Sequence, residues 1–238
     1  MKVRIKFSKY GALRFIGHLD VMRFFQKALR RAGIDVAYTT GFSPHQIMTF
    51  ASPLGMGLCS LGEYMDIEVC SWQSSEDMKR RLQAVCPAGI DILSVRALPD
   101  PVPNRKVISA MASVAAASYA VVWKEGGRSF DGCQGLTQGF LAQEEIGALK
   151  ETKQGTTKVN IRPGIYELRV EDGALVFLVD ASSSGNIKPS LVTEAFLAFA
   201  GLSVPKDGLQ YIRLEIYTEQ GSPGQPRLVP LEEMGVLF

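Results

Sequence analysis

Val3-Arg4-Ile5-Lys6-Phe7 alternates apolar and basic residues, and a dozen positions later the period changes: Leu19, Met22, Phe25, Leu29 and Ala32 recur at steps of three and four. The first pattern is the period-two signature of a half-buried strand, the second the buried stripe of a helix. Asp20 suits the first turn of that helix through the backbone dipole, and Gly33 supplies a stop. Arg23, Lys27, Arg30 and Arg31 fall on the side away from the stripe.

Outward from this pair the alternation continues. Asp35 to Tyr38 reads as a short extended piece, and Gly41-Phe42-Ser43-Pro44-His45 as a loop, because Pro44 disfavours helix at Ser43. Ile47 to Ala51 forms a strand ending at Ser52-Pro53, and Tyr64 to Val69 another. Ser74 or Ser75 caps a helix through Met78, Leu82 and Val85, and Ile90 to Leu98 is the last strand of this half. Strand, helix, strand, strand, helix, strand is the ferredoxin-like split βαβ order.

The second half repeats it with Tyr119 to Lys124, a weak helix at Leu136 to Gln143, extended pieces at Ile146 to Thr152 and Val159 to Val170, and a helix opened by Lys188-Pro189. Asp172-Gly173 between two apolar runs signals a hairpin. Loop glycines occur at Gly126-Gly127, and Tyr211 to Thr218 is the final strand. The expected fold class is therefore α+β, with two tandem ferredoxin-like (βαββαβ) units. Residues 1–99 form a basic unit, 100–117 a Pro-rich linker, 118–219 the second unit, and 220–238 a Gly/Pro-rich surface tail.

Composition narrows the function. With 238 residues, 46% hydrophobic and 21% charged, the chain has ordinary globular make-up and no apolar run of the roughly 20 residues needed to span a bilayer. The N-terminus lacks the continuous apolar stretch of an export signal, so a cytoplasmic location is expected. Cys59, Cys70, Cys86 and Cys133 form no close pair, which argues against a local zinc or iron–sulfur site. Residues 1–50 hold nine Lys or Arg against Asp20 and Asp35, a net +7, while the whole chain is +2, which leaves −5 for the rest. A basic first half points to an anionic partner such as RNA.

His18 and His45, the only two histidines, are candidates for an acid–base pair and equally for hydrogen-bonding roles. Lys9, Arg14, Arg23 and Arg30, interleaved with aromatics such as Phe42 and joined by Ser43, have the make-up of an RNA-binding face. Asn160 with Arg162, and Asn186 with Lys188, place an amide and a cation near proline at element ends, where an anion can be held. No phosphate-loop, dinucleotide-binding or serine-hydrolase motif occurs, and no cofactor or metal site is expected.

Phe15-Ile16-Gly17-His18-Leu19-Asp20, Arg30-Arg31-Ala32-Gly33, Gly41-Phe42-Ser43-Pro44-His45 and Pro53-Leu54-Gly55-Met56-Gly57 occur in the order and spacing of a known family. Glu63, Asn160-Ile161-Arg162-Pro163 and Asn186-Ile187-Lys188-Pro189 extend the match. The chain thus resembles the radical SAM-linked protein family, a domain of unknown function encoded beside or fused to cobalamin-binding radical SAM proteins, often near a ribonuclease of the G/E type. The chain has no C-x-x-x-C-x-x-C, so it does not ligate the radical SAM cluster by the usual three thiolates. The resemblance implies an accessory: an RNA-binding or substrate-presenting partner of a radical SAM enzyme. A small RNA-processing or RNA-modifying enzyme using His18 and His45, and a protein-interaction scaffold, are the alternatives.

Overall fold

A computed structural model describes residues 1–99, 109–124, 128–152, 155–203, 207–222 and 225–238. Most of the expected linker, residues 100–108, and the Gly126-Gly127 loop lie outside the described residues. The architecture is α+β, with four α-helices among the described residues. The chain divides into two compact units, Met1–Val114 with Glu215–Phe238, and Ala115–Leu214.

The first unit contains β1 (Lys2–Lys9), α1 (His18–Arg31), β2 (Met48–Phe50), β3 (Cys59–Glu68), α2 (Ser75–Gln83) and β4 (Ile92–Ala97). The strands lie in the order β4, β1, β3, β2, each pair antiparallel. Register explains the alternation: Ile5 stands opposite Met65 on one side and Val95 on the other, so all three point to one face. Val3, Ile5 and Phe7 bury against Phe25 and Leu29 of α1 and against Met78 and Leu82 of α2. Ser74 caps α2 by accepting from the Asp77 amide at 3.1 Å, and Gly33 ends α1 at φ +64°, where a side chain is strained.

The second unit contains β5 (Ala116–Trp123), α3 (Thr137–Leu141), β6 (Gly147–Thr152), β7 (Gly155–Asn160), β8 (Ile165–Glu171), β9 (Ala174–Asp180) and α4 (Pro189–Phe199), and it takes the first residues of β10 (Leu209–Ser222). Its order is β10, β5, β9, β8. The Asp172-Gly173 turn has both residues at positive φ, 49° and 75°, as a tight hairpin of this kind requires. The expected extended piece from Val159 to Val170 is instead broken by a turn at Arg162–Gly164. Its first part pairs back on β6 as a separate two-stranded hairpin, from Gly147 opposite Asn160 to Thr152 opposite Gly155.

Two other expectations are corrected in the first unit. The basic side of β1 is not solvated, and the C-terminal residues are not a surface tail. β11 (Gln225–Pro230) pairs with β10, and Val229 and Leu231 are buried. Val236 bridges to Ala97, and the Phe238 amide and carbonyl bond the Ser75 hydroxyl and amide. Arg4 forms a two-pronged pair with Asp66 at 2.7 and 2.8 Å and donates to the Leu231 carbonyl at 2.9 Å. Lys6 donates to Glu215 at 2.6 Å and to Glu232 at 2.7 Å, with Tyr64 donating to Glu215 and Ser94 to Glu232. The returning C-terminal segment thus meets the side of β1 that alternation assigns to water.

Candidate functional site

β1 ends at Lys9, and its register on β3 shifts between Phe7 and Lys9, so that Phe7 faces Glu63 and Lys9 faces Ser60. A residue directly across an antiparallel pair shares its partner's face. Glu63 therefore lies on the core side with Phe7, at the end of the core where α1 begins. Lys9 and Glu63 are only 2% and 6% exposed. Burying two charges costs several kcal/mol each by desolvation, which close opposite charge and hydrogen bonds must offset. Lys9 Nζ donates to the Ile16 carbonyl at 3.3 Å.

These side chains line one pocket with His18, and Phe7, Val21, Phe50, Pro53 and Leu54 make its walls. His18 is the first residue of α1, and its ring stands edge-on to Phe50 at 5.1 Å and 90°. The Gly57 amide donates to the Arg14 carbonyl at 2.8 Å, tying the Pro53–Gly57 loop to the turn before α1. On that turn the Arg14 guanidinium lies 4.5 Å from the centre of the Phe15 ring, a cation–π contact. Phe15, Leu19 and Met56 remain 60%, 59% and 70% exposed.

His45 lies elsewhere. The Thr39 amide donates to the His45 carbonyl at 2.9 Å, the His45 amide to the Thr39 hydroxyl at 3.1 Å, and His45 Nδ1 sits 3.1 Å from that hydroxyl and 3.4 Å from the Ser43 carbonyl. These bonds close a loop with exposed Ser43 and a fully exposed Phe42 at its tip. His18 lines the pocket and His45 staples this loop, so the fold does not bring the two imidazoles into that pocket. Along α1, Arg23 is paired only loosely with Asp20 at 3.5 Å, and Arg30 donates to the Gln26 carbonyl at 3.3 Å, both at the surface.

In the second unit, Asn160 Oδ1 accepts from the amides of Ile146 and Arg162 at 3.0 Å each. Arg162 donates Nε to the Leu141 carbonyl at 2.7 Å and Nη1 to the Ile165 carbonyl at 3.1 Å. This amide and cation hold turns together. Asn186 takes a positive φ of 25°, and Lys188 is exposed immediately before α4.

The Lys6 cluster was not among the residues singled out from sequence. Burial pulls the Lys6 ammonium down, but the hydrogen bonds and charges of Glu215 and Glu232 more than reverse this, so its pKa is raised. Burial pushes Glu232 up, and the bonds from Lys6 and Ser94 overcome it, leaving its carboxyl below the usual range. Burial, then the Glu215 charge, pushes the Tyr64 phenol well above its ordinary value. Among the described residues no helix is long and apolar enough to cross a membrane. A family model described as an uncharacterized protein conserved in bacteria, DUF2344, matches residues 2–189. No curated protein matches the chain.

Proposed function

The chain belongs to that uncharacterised bacterial family, and from this premise we propose that it is a cytoplasmic RNA-binding accessory protein serving a radical SAM enzyme. The observation that carries the RNA part is the Arg14–Phe15 pair, a guanidinium stacked on an aromatic ring that is itself 60% exposed. A planar cation over an exposed ring offers a base a stacking face and a phosphate a partner at one place. Phe42 at its loop tip and the exposed Arg23 and Arg30 of α1 add the same chemistry on the first unit. In this reading the two units are tandem ferredoxin-like folds, supported by the matching strand orders β4–β1–β3–β2 and β10–β5–β9–β8. The radical SAM partner rests on the sequence resemblance.

Fluorescence anisotropy with a labelled single-stranded RNA is the test. Binding is expected to weaken as salt rises, and Phe15→Ala to lose about tenfold in affinity, the scale of one aromatic–base stack. Affinity indifferent to both salt and that substitution removes the reading. Capture of the tagged protein from native lysate tests the partner: recovery without any radical SAM protein removes that half. Exposed Leu19 and Met56 favour a second reading, a protein-interaction scaffold, and recovery of protein partners without RNA selects it.

A further inference from the structure

The Lys9–His18–Glu63 pocket is not used by a stacked base or a phosphate contact. Its polar lining is one cation, one carboxylate and one imidazole, set in apolar walls from Phe7 and Phe50. A buried carboxylate repels a phosphate, and an apolar group entering would add no hydrogen bond to charged heads already removed from water. The free space is about that of one water molecule. What fits is a small neutral group that both donates and accepts: Glu63 accepts a hydrogen bond from it, and Lys9 or His18 donates one to it.

Two ties join the pocket's lining to the backbone of the turn that carries Arg14 and Phe15. Lys9 Nζ bonds the carbonyl of Ile16, next to Phe15, and the Arg14 carbonyl accepts from Gly57, in the loop that supplies the Pro53 and Leu54 walls. A nucleotide stacked on Phe15 carries one such group between base and phosphate, the ribose 2′-hydroxyl, and this group separates RNA from DNA. Resting on the RNA reading above, we propose that the Lys9–His18–Glu63 pocket receives a ribose 2′-hydroxyl and makes the first unit selective for RNA over DNA.

The test compares one single-stranded sequence as RNA, as DNA and as 2′-O-methyl RNA by anisotropy, in wild type and in Glu63→Gln and His18→Ala. Wild type is expected to bind RNA about tenfold tighter than DNA, the worth of a hydrogen bond to a charged group. The 2′-O-methyl form, which has lost its donor and gained bulk, is expected to bind no better than DNA. Both variants are expected to bring the RNA-to-DNA ratio toward one. His18→Ala, at a half-buried position, keeps the test informative should Glu63→Gln fail to fold. Equal wild-type affinity for RNA and DNA overturns the pocket assignment while leaving a nucleic-acid-binding face. Selectivity that survives in the folded variants overturns it too. Binding to none of the three overturns the RNA reading itself.

Discussion

Lys6 shows how much one side chain decides. It faces two carboxylates at 2.6 and 2.7 Å, all three largely shielded from water. Lys6→Met leaves Glu215 and Glu232 close together with no cation between them, so a loss of about 3–5 kcal/mol is expected in urea unfolding. The pH dependence has a definite sign. Glu232, with its pKa lowered on folding, stabilises above the ordinary carboxylate pKa, and that contribution fades as pH falls through its folded value. Lys6, with its pKa raised, contributes fully below the ordinary lysine pKa and loses that contribution as pH rises through its folded value. In Lys6→Met, Glu232 loses its nearest cation and with it much of what holds its pKa down, so the deficit against wild type is expected to shrink as pH drops toward 4. A deficit constant with pH contradicts the charge account. Nothing local in the sequence announces this cluster, because its partners lie 209 and 226 positions away. Thiol chemistry gives a second residue-scale expectation. Burial pushes Cys86 up to about 11 and also raises Cys133, whereas Cys70 is exposed. A thiol reagent near pH 8 is expected to modify Cys70 well before Cys86 or Cys133, with the first phase absent in Cys70→Ser.

Elements were legible where local chemistry and burial agree. α1 has a one-sided apolar stripe, an acid in its first turn and a glycine stop, and it forms where those signals place it. α2 has its serine cap, and Ser74→Ala is expected to cost about 1 kcal/mol and lower the melting temperature by a few degrees. An unchanged melting temperature would leave the cap without energetic weight. The β8–β9 hairpin follows from Asp172-Gly173. The β6–β7 hairpin did not stand out because β7 is almost wholly exposed; with neither face buried, no alternation is written into its residues. At the pocket, Lys9 and His18 were visible as residue types. Their convergence with Glu63 depends on the register shift at the end of β1, which periodicity does not encode.

On the scale of the molecule, the +7 of the first fifty residues overstates the field available to a polyanion. Arg4, Lys6 and Lys9 are held by internal partners, leaving Lys2 and Arg14 partly exposed and Arg23, Lys27, Arg30 and Arg31 exposed. If these six met phosphates, the slope of log affinity against log salt for single-stranded RNA is expected to be no steeper than about −4. A much steeper slope would require cations from elsewhere in the chain. Glycine and proline suggested a surface segment for residues 220–238, yet that segment supplies Val229, Leu231 and Glu232 to the first unit. Ending the chain at Leu214 is expected to expose Arg4, Lys6 and Asp66 and to lower the urea midpoint of the first unit; an unshifted midpoint would mean that the segment contributes no stability.

The return of the chain end to β1 also fixes an order of events during synthesis. Ala115–Leu214 is continuous and emerges whole, whereas Met1–Val114 meets its last partners only when Glu215–Phe238 leaves the ribosome. At about 5–20 residues per second this is a wait of several seconds. The half of the protein made first is then the half finished last, and through that interval Lys6, with both its carboxylates still to be made, presents its charge to whatever the nascent chain encounters.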